Sequence, residues 1–178
     1  MKLRHYDHDG RARFVTFCTH RRQPVLTNDQ YRGIIAQAIT AERNDSGFSL
    51  LAYVFMPEHV HLVILPKEES RVGEIIGEIK RTSARAIHEL LISHNSPLLP
   101  QLTVTREEVT RFALWQRRCF DHNCRTTESV RKMVEYCHFN PVIRGLVREP
   151  TDWRWSSSRW YSGFRDGPLE IDVIGTEI

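Results

Sequence analysis

Met56-Pro57-Glu58-His59-Val60-His61-Leu62-Val63-Ile64-Leu65-Pro66 decides how this chain reads. Val60 to Leu65 is apolar and rich in β-branched residues, so the stretch after Pro57 predicts a strand. Side chains alternate faces along a strand, so His59 and His61 project from one face while Val60 and Leu62 point into a core. Two imidazoles side by side on a rigid strand begin a divalent metal site. The alternative is two polar residues on a solvated sheet face, and this segment alone does not choose between them.

Working outward, Phe48 to Met56 predicts another strand, joined to the histidine strand by a tight Pro57-Glu58 connection as a hairpin. Arg13 to His20 predicts an earlier strand with Phe14, Val15, Phe17 and Cys18 as its apolar members. Thr27-Asn28-Asp29 supplies capping groups for a helix in which Tyr31, Ile34, Ile35, Ala38 and Ile39 fall at helical spacing. That helix ends before Ser46-Gly47. Arg71 to Leu91 predicts a long amphipathic helix. Ser93 to Gln101 reads as a loop, and Phe112 to Gln116 as a short fourth strand. Thr127-Glu128 opens a further helix that Pro141 ends or kinks.

The order is therefore the ferredoxin-like βαββαβ pattern with an additional C-terminal helix, an α+β fold built on an antiparallel sheet. In it the first and third strands lie centrally, which puts the histidine pair on a central strand. The two helices of the repeat cover one face and leave the other for a site. The expected organisation is one domain over residues 1–160 and a loosely ordered, acidic, glycine-rich tail over 161–178.

The composition is 40% hydrophobic and 26% charged, as in a globular domain. No apolar run is long enough to span a membrane. Met1 to His8 is too polar for a signal peptide, so the expected location is the cytoplasm, with the nucleoid as its site there. The formal net charge is +3, and the bases cluster. Lys2, Arg4, Arg11, Arg13, Arg21 and Arg22 form one group, and Arg111, Arg117, Arg118, Arg125, Arg131 and Lys132 another. Such clusters suit a phosphate backbone or a merely solvated surface. The cysteines Cys18, Cys119, Cys124 and Cys137 form no C-x-x-C pair, which argues for reduced thiols. Cys119, His122 and Cys124 have poor spacing for zinc.

Tyr136-Cys137-His138-Phe139-Asn140-Pro141 is the second key segment. Residues four apart share a helix face, so Tyr136 and Asn140 point the same way and His138 points away. If that face meets the histidines, a phenol and an amide oxygen join the metal site. A neutral phenol, pKa ~10, is a weak nucleophile, but a metal beside a phosphodiester makes its attack feasible.

Four blocks in order resemble the REP-associated tyrosine transposases, within the single-tyrosine HUH superfamily of insertion-sequence transposases. They are Met56-Pro57-Glu58-His59-Val60-His61-Leu62; Trp115-Gln116 with Phe120-Asp121-His122; Tyr136-x-His138-x-Asn140-Pro141-Val142 with Gly145-Leu146-Val147; and Trp153-x-Trp155-Ser156-Ser157. The resemblance spans residues 11 to 160. It implies that His59, His61 and Asn140 hold Mg²⁺ or Mn²⁺ and that Tyr136 is the nucleophile. Tyr136 would form a 5′-phosphotyrosine link and release a 3′-hydroxyl, with no nucleotide cofactor. The implied partner is single-stranded DNA carrying imperfect hairpins, and the expected state is a monomer, with a homodimer as the alternative. Ile143, Cys119 and Cys137 depart from the family's usual residues without removing a catalytic group. The alternative is a domesticated member that grips hairpins without turnover. From charge alone, Arg11, Arg13, Arg21, Lys80, Arg81, Arg85, Arg117 and Arg118 are the candidate phosphate contacts. Trp153 and Trp155 either stack on bases or pack the C-terminal segment. Asp121 and His122 serve packing or DNA contact.

Overall fold

The computed structural model describes residues 10–173. Lys2 and Arg4 of the first basic cluster, and the first nine and last five residues of the expected domain and tail, lie outside it. The chain runs β1 (Ala12–Cys18), α1 (Asp29–Ser46), β2 (Ser49–Met56), β3 (His59–Leu65) and α2 (Val72–Ser93). A short α3 (Leu98–Gln101), β4 (Thr103–Arg106), β5 (Val109–Phe112), β6 (Phe120–Cys124), α4 (Thr127–Ile143) and a single-turn α5 (Ser158–Tyr161) follow.

The helix limits follow from side-chain chemistry. Asn28 caps α1 by accepting the Gln30 amide at 2.8 Å, and Gly47 ends it in the left-handed region at φ 68°. Thr126 caps α4 by accepting the Ser129 amide at 3.1 Å. Pro141 is accommodated near the C-terminal end of α4 rather than stopping it.

The main sheet has strand order β2-β3-β1-β6, with every pair antiparallel. This is the ferredoxin-like order, and β1 and β3 are its central strands. Pro57-Glu58 closes the β2–β3 hairpin, setting Met56 opposite His59 and Val54 opposite His61. One face, with Val15, Phe17, Phe55, Val60, Leu62 and Ile64, packs on Ile35 and Ile39 of α1 and on Ile75, Ile76 and Ile79 of α2. The other, with Phe14, Ala52, Val54 and Val63, packs on Val134 and Cys137 of α4. His59 and His61 share that second face.

Two expectations are corrected. The fourth strand of the sheet is not Phe112 to Gln116. Val109–Phe112 pairs with Thr103–Arg106 in a separate hairpin, and the Trp115 backbone makes an isolated bridge to Thr19 without extending the ladder. The Trp115 indole instead enters the core, its N–H donating to Ser83 Oγ at 3.0 Å. The strand beside β1 is Phe120–Cys124, an edge strand that lacks an apolar run because only part of it is covered. Nor are residues 161–173, the described part of the expected tail, loosely attached. Leu169 and Ile171 are buried in the α1/α2 core, and the Asp172 carboxylate accepts the Leu50 amide at 2.7 Å.

Candidate active site

The β1–β3 register sets Thr16 opposite His61, and β3 starts at His59, directly after Glu58. Both imidazoles are buried, at 3% and 5% exposure. His59 Nδ1 lies 3.0 Å from Glu58 Oε1. Burial raises the Glu58 carboxyl, but hydrogen bonds from Arg144 and Arg22 and the nearby His59 outweigh it and hold it below the usual range. A carboxylate has no proton to give, so His59 Nδ1 is the donor and its Nε2 carries a lone pair. His61 Nδ1 meets Thr16 Oγ1 at 2.7 Å, and the hydroxyl suits either imidazole tautomer.

The two Nε2 atoms lie 2.9 Å apart. Without a cation, His61 donates and His59 accepts. With His61 in the other tautomer, both Nε2 atoms carry a lone pair and would be available to a divalent cation. Burial lowers His59 despite Glu58. Burial, then His59 and Arg22, bring His61 down to about 3. Both rings are therefore neutral at physiological pH, the form that binds metal.

Asn140 and Tyr136 reach the same place from α4. Asn140 is buried, and its Nδ2 stands 3.5 Å from His61 Nε2 while its Oδ1 has no hydrogen-bond partner. A buried, unpartnered amide oxygen is costly. Rotating the amide turns that oxygen towards the histidine nitrogens, so a hard divalent cation fits these residues as a two-nitrogen, one-oxygen donor set. The Tyr136 ring packs edge-on to His61 at 5.4 Å and to Phe14 at 5.7 Å, and the residue stays 43% exposed. It opens onto a groove of about 540 Å³ lined by Phe14, Thr16, Arg22, His61, Arg118 and Phe120 among others.

The other expected contacts separate by position. Arg118 lines this groove. Arg11, Arg21 and Arg117 are exposed. Arg13 is not available to a phosphate: its guanidinium forks onto Asp121, with Nε–Oδ1 2.9 Å and Nη2–Oδ2 2.5 Å. Lys80 is also occupied, donating to the Gln116 and Arg117 carbonyls at 2.7 and 3.1 Å. Arg81 and Arg85 lie on α2, across the sheet from the histidines, paired with Glu78 and Glu89. His138 points away from the site, its Nε2 2.9 Å from Ser157 Oγ. The indoles of Trp153 and Trp155 donate to Phe55 O and Asp29 Oδ1, so both pack the C-terminal segment. Glu58, Thr16, Phe14, Arg22 and Arg144 are site residues that sequence reading did not select. Two of them carried a visible signal: Glu58, directly before His59, and Arg22, a member of the first basic cluster.

Fold and site together define the class: a ferredoxin-like domain of HUH type, with a histidine pair on a central strand facing a tyrosine and an asparagine on one helix. The chain belongs to the IS200-like transposase family, whose model, described as "Transposase IS200 like", matches residues 11–138. DNA transposition is the function that membership carries. The REP-associated tyrosine transposase of Escherichia coli K12 is 28% identical over 173 residues, 97% of this chain and 89% of the relative. A solved structure of a REP-associated tyrosine transposase bound to a REP hairpin superposes with a TM-score of 0.69. It is 26% identical and covers 99% of this chain and 95% of its own. No helix among the described residues is long and apolar enough to cross a membrane.

Proposed function

We propose that this transposase is a divalent-metal-dependent endonuclease and strand transferase acting on single-stranded DNA beside imperfect REP-type hairpins. His59, His61 and Asn140 would hold Mg²⁺ or Mn²⁺, which when bound polarises the scissile phosphodiester. Tyr136 gives up its phenol proton and its oxygen bonds to phosphorus. The bond from phosphorus to the 3′-oxygen breaks, and that oxygen leaves as a hydroxyl after taking up a proton. The product is a 5′-phosphotyrosine that conserves the phosphodiester bond energy, so a 3′-hydroxyl can reverse the step and rejoin DNA without ATP. Phe14 and His61 hold the Tyr136 ring by edge contacts, while Glu58 and Thr16 fix the two imidazoles. One chain supplies every group, which supports action as a monomer, with the nucleoid as its place of work.

The observation that carries this reading is the buried, unpartnered Asn140 Oδ1 beside two converging imidazole nitrogens, within reach of a half-exposed tyrosine. The hairpin-bound relative supports the choice of DNA. The test incubates the protein with Mn²⁺ and end-labelled hairpin DNA from beside its own gene, followed by a denaturing protein gel. Label transfer from the 3′-labelled copy only, lost in Tyr136→Phe, is expected. Hairpin binding without adduct or cleavage would instead identify a binding module. Cleavage surviving Tyr136→Phe would make water the nucleophile.

A further inference from the structure

Two large aromatic rings at the groove are left half in water. Phe120 is 54% exposed and Tyr136 43%, while Phe14 beneath them is 5% exposed. Both upper rings stand steeply on Phe14, Phe120 at 69° and 6.3 Å between centroids, Tyr136 at 83° and 5.7 Å. Phe14 is itself stacked on His61 at 5.1 Å and 25°. The floor is therefore fixed by the histidine strand β3, and the two walls rise from β6 and α4. Met133 adds to the lining, and Arg22, Gln116 and Arg118 contribute the polar groups. The Gln116 amide nitrogen is committed to Thr19 O at 3.1 Å.

An apolar floor, aromatic walls and a cationic rim match a nucleotide, whose base has a π-face and whose phosphate is anionic. The volume of about 540 Å³ lies within the usual range of small-ligand sites, roughly 300–1,000 Å³. Arg22 is already paired with Glu58 at 3.2 Å; a hydrocarbon ligand would leave Arg118 unused, and a free phosphate would leave the rings unused. We infer that this groove is a base-stacking slot that takes one unpaired nucleobase next to the scissile phosphate, with Phe120 as the stacking platform and Arg118 on the adjoining phosphate. This rests on the proposed function and adds a binding residue, Phe120, on the edge strand. It gives Phe120 the stacking role that Trp153 and Trp155, whose indoles are tied into packing, do not fill.

The test compares a short oligothymidylate with an abasic strand of the same length and charge, by fluorescence anisotropy on the full chain without divalent metal. Thymidylate should bind about tenfold more tightly, roughly the contribution of one base–aromatic stack. Phe120→Ala should remove that preference and Phe120→Trp should keep it. Arg118→Gln should weaken both strands alike. Circular dichroism confirms that each variant folds. Equal affinity of the wild type for the two strands, or a preference that survives Phe120→Ala, overturns the slot and leaves the proposed function standing. Binding of neither strand overturns the slot, and absence of hairpin binding as well overturns the proposed function with it.

Discussion

Arg13 is the residue for which charge counting and structure disagree most, and replacing it separates the two. Its side chain is 3% exposed and that of its partner Asp121 is 6%. They form a two-point fork across β1 and β6, so Arg13→Ala would remove both of these hydrogen bonds from a buried carboxylate. Removing one partner of a buried pair costs about 3–5 kcal/mol. For a chain of this length that is a fall of about 6–20 °C in Tm. Asp121→Ala should cost a similar amount by removing both acceptor oxygens from that fork. The double replacement Arg13→Met with Asp121→Leu should recover most of the loss, because neither charge then remains to be solvated. Urea unfolding of the four proteins, followed by circular dichroism, measures the loss in each single variant and its recovery in the double one. If Arg13→Ala were as stable as wild type but bound hairpin DNA more weakly, Arg13 would be a phosphate contact and the reasoning from its burial would fail.

Arg81→Gln and Arg85→Gln should change hairpin affinity less than about twofold, since both lie opposite the site in exposed ion pairs of little energetic weight; titration by anisotropy checks this. Burial holds His138 down to about 4 against an ordinary ~6.5. The unfolded chain therefore takes up a proton between those values that the folded chain refuses, and stability falls as pH drops from 6.5 to 4, by at most on the order of 3 kcal/mol. His138→Gln should flatten that part of the stability–pH curve, leaving the slope contributed by His59 and His61. Mixing Tyr136→Phe with His59→Ala should yield no phosphotyrosine adduct, because the site is built within one chain. An adduct from the mixture would mean that the tyrosine helix is exchanged between two copies.

The βαββαβ order was legible because each of its main elements carries a strong periodic or capping signal: the apolar run after Pro57, Asn28 before α1, and the spacing of Ile75, Ile76 and Ile79. The edge strand was not. Phe120-Asp121-His122-Asn123-Cys124 holds polar residues on both faces, and only its pairing with β1 makes it a strand. Phe112 to Gln116 mimicked a strand because the Trp115 ring belongs to the core while its backbone does not continue the ladder. The tail misled for a related reason. Two buried residues, Leu169 and Ile171, are enough to dock it, and neither stands out within an acidic, glycine-rich stretch. In the site, the His59/His61 alternation and the four-residue Tyr136/Asn140 spacing were readable because each lies within a single element. Thr16 and Arg144 were not, because their relation to His61 and Glu58 exists only after β1, β3 and α4 are packed.

The arginines make the same point about charge. Arg13, Arg22, Arg81 and Arg118 are alike in sequence, yet their surroundings divide them. Arg13 holds the edge strand, Arg81 decorates a remote helix, and Arg22 and Arg118 line the groove. Arg22 and Arg144 share one carboxylate oxygen, Glu58 Oε1, at 3.2 and 3.0 Å. A single buried carboxylate thus ties the β1 exit and the C-terminal end of α4 to His59. With two guanidiniums on one carboxylate, positive charge is left beside the imidazoles, where an incoming phosphate would meet it. Glu58 therefore serves both to orient His59 and to keep the tyrosine helix in register with the strand it faces. That dual contact explains how a helix with only a few buried apolar residues, Val134 and Cys137 chief among them, can hold Tyr136 and Asn140 against the histidine pair.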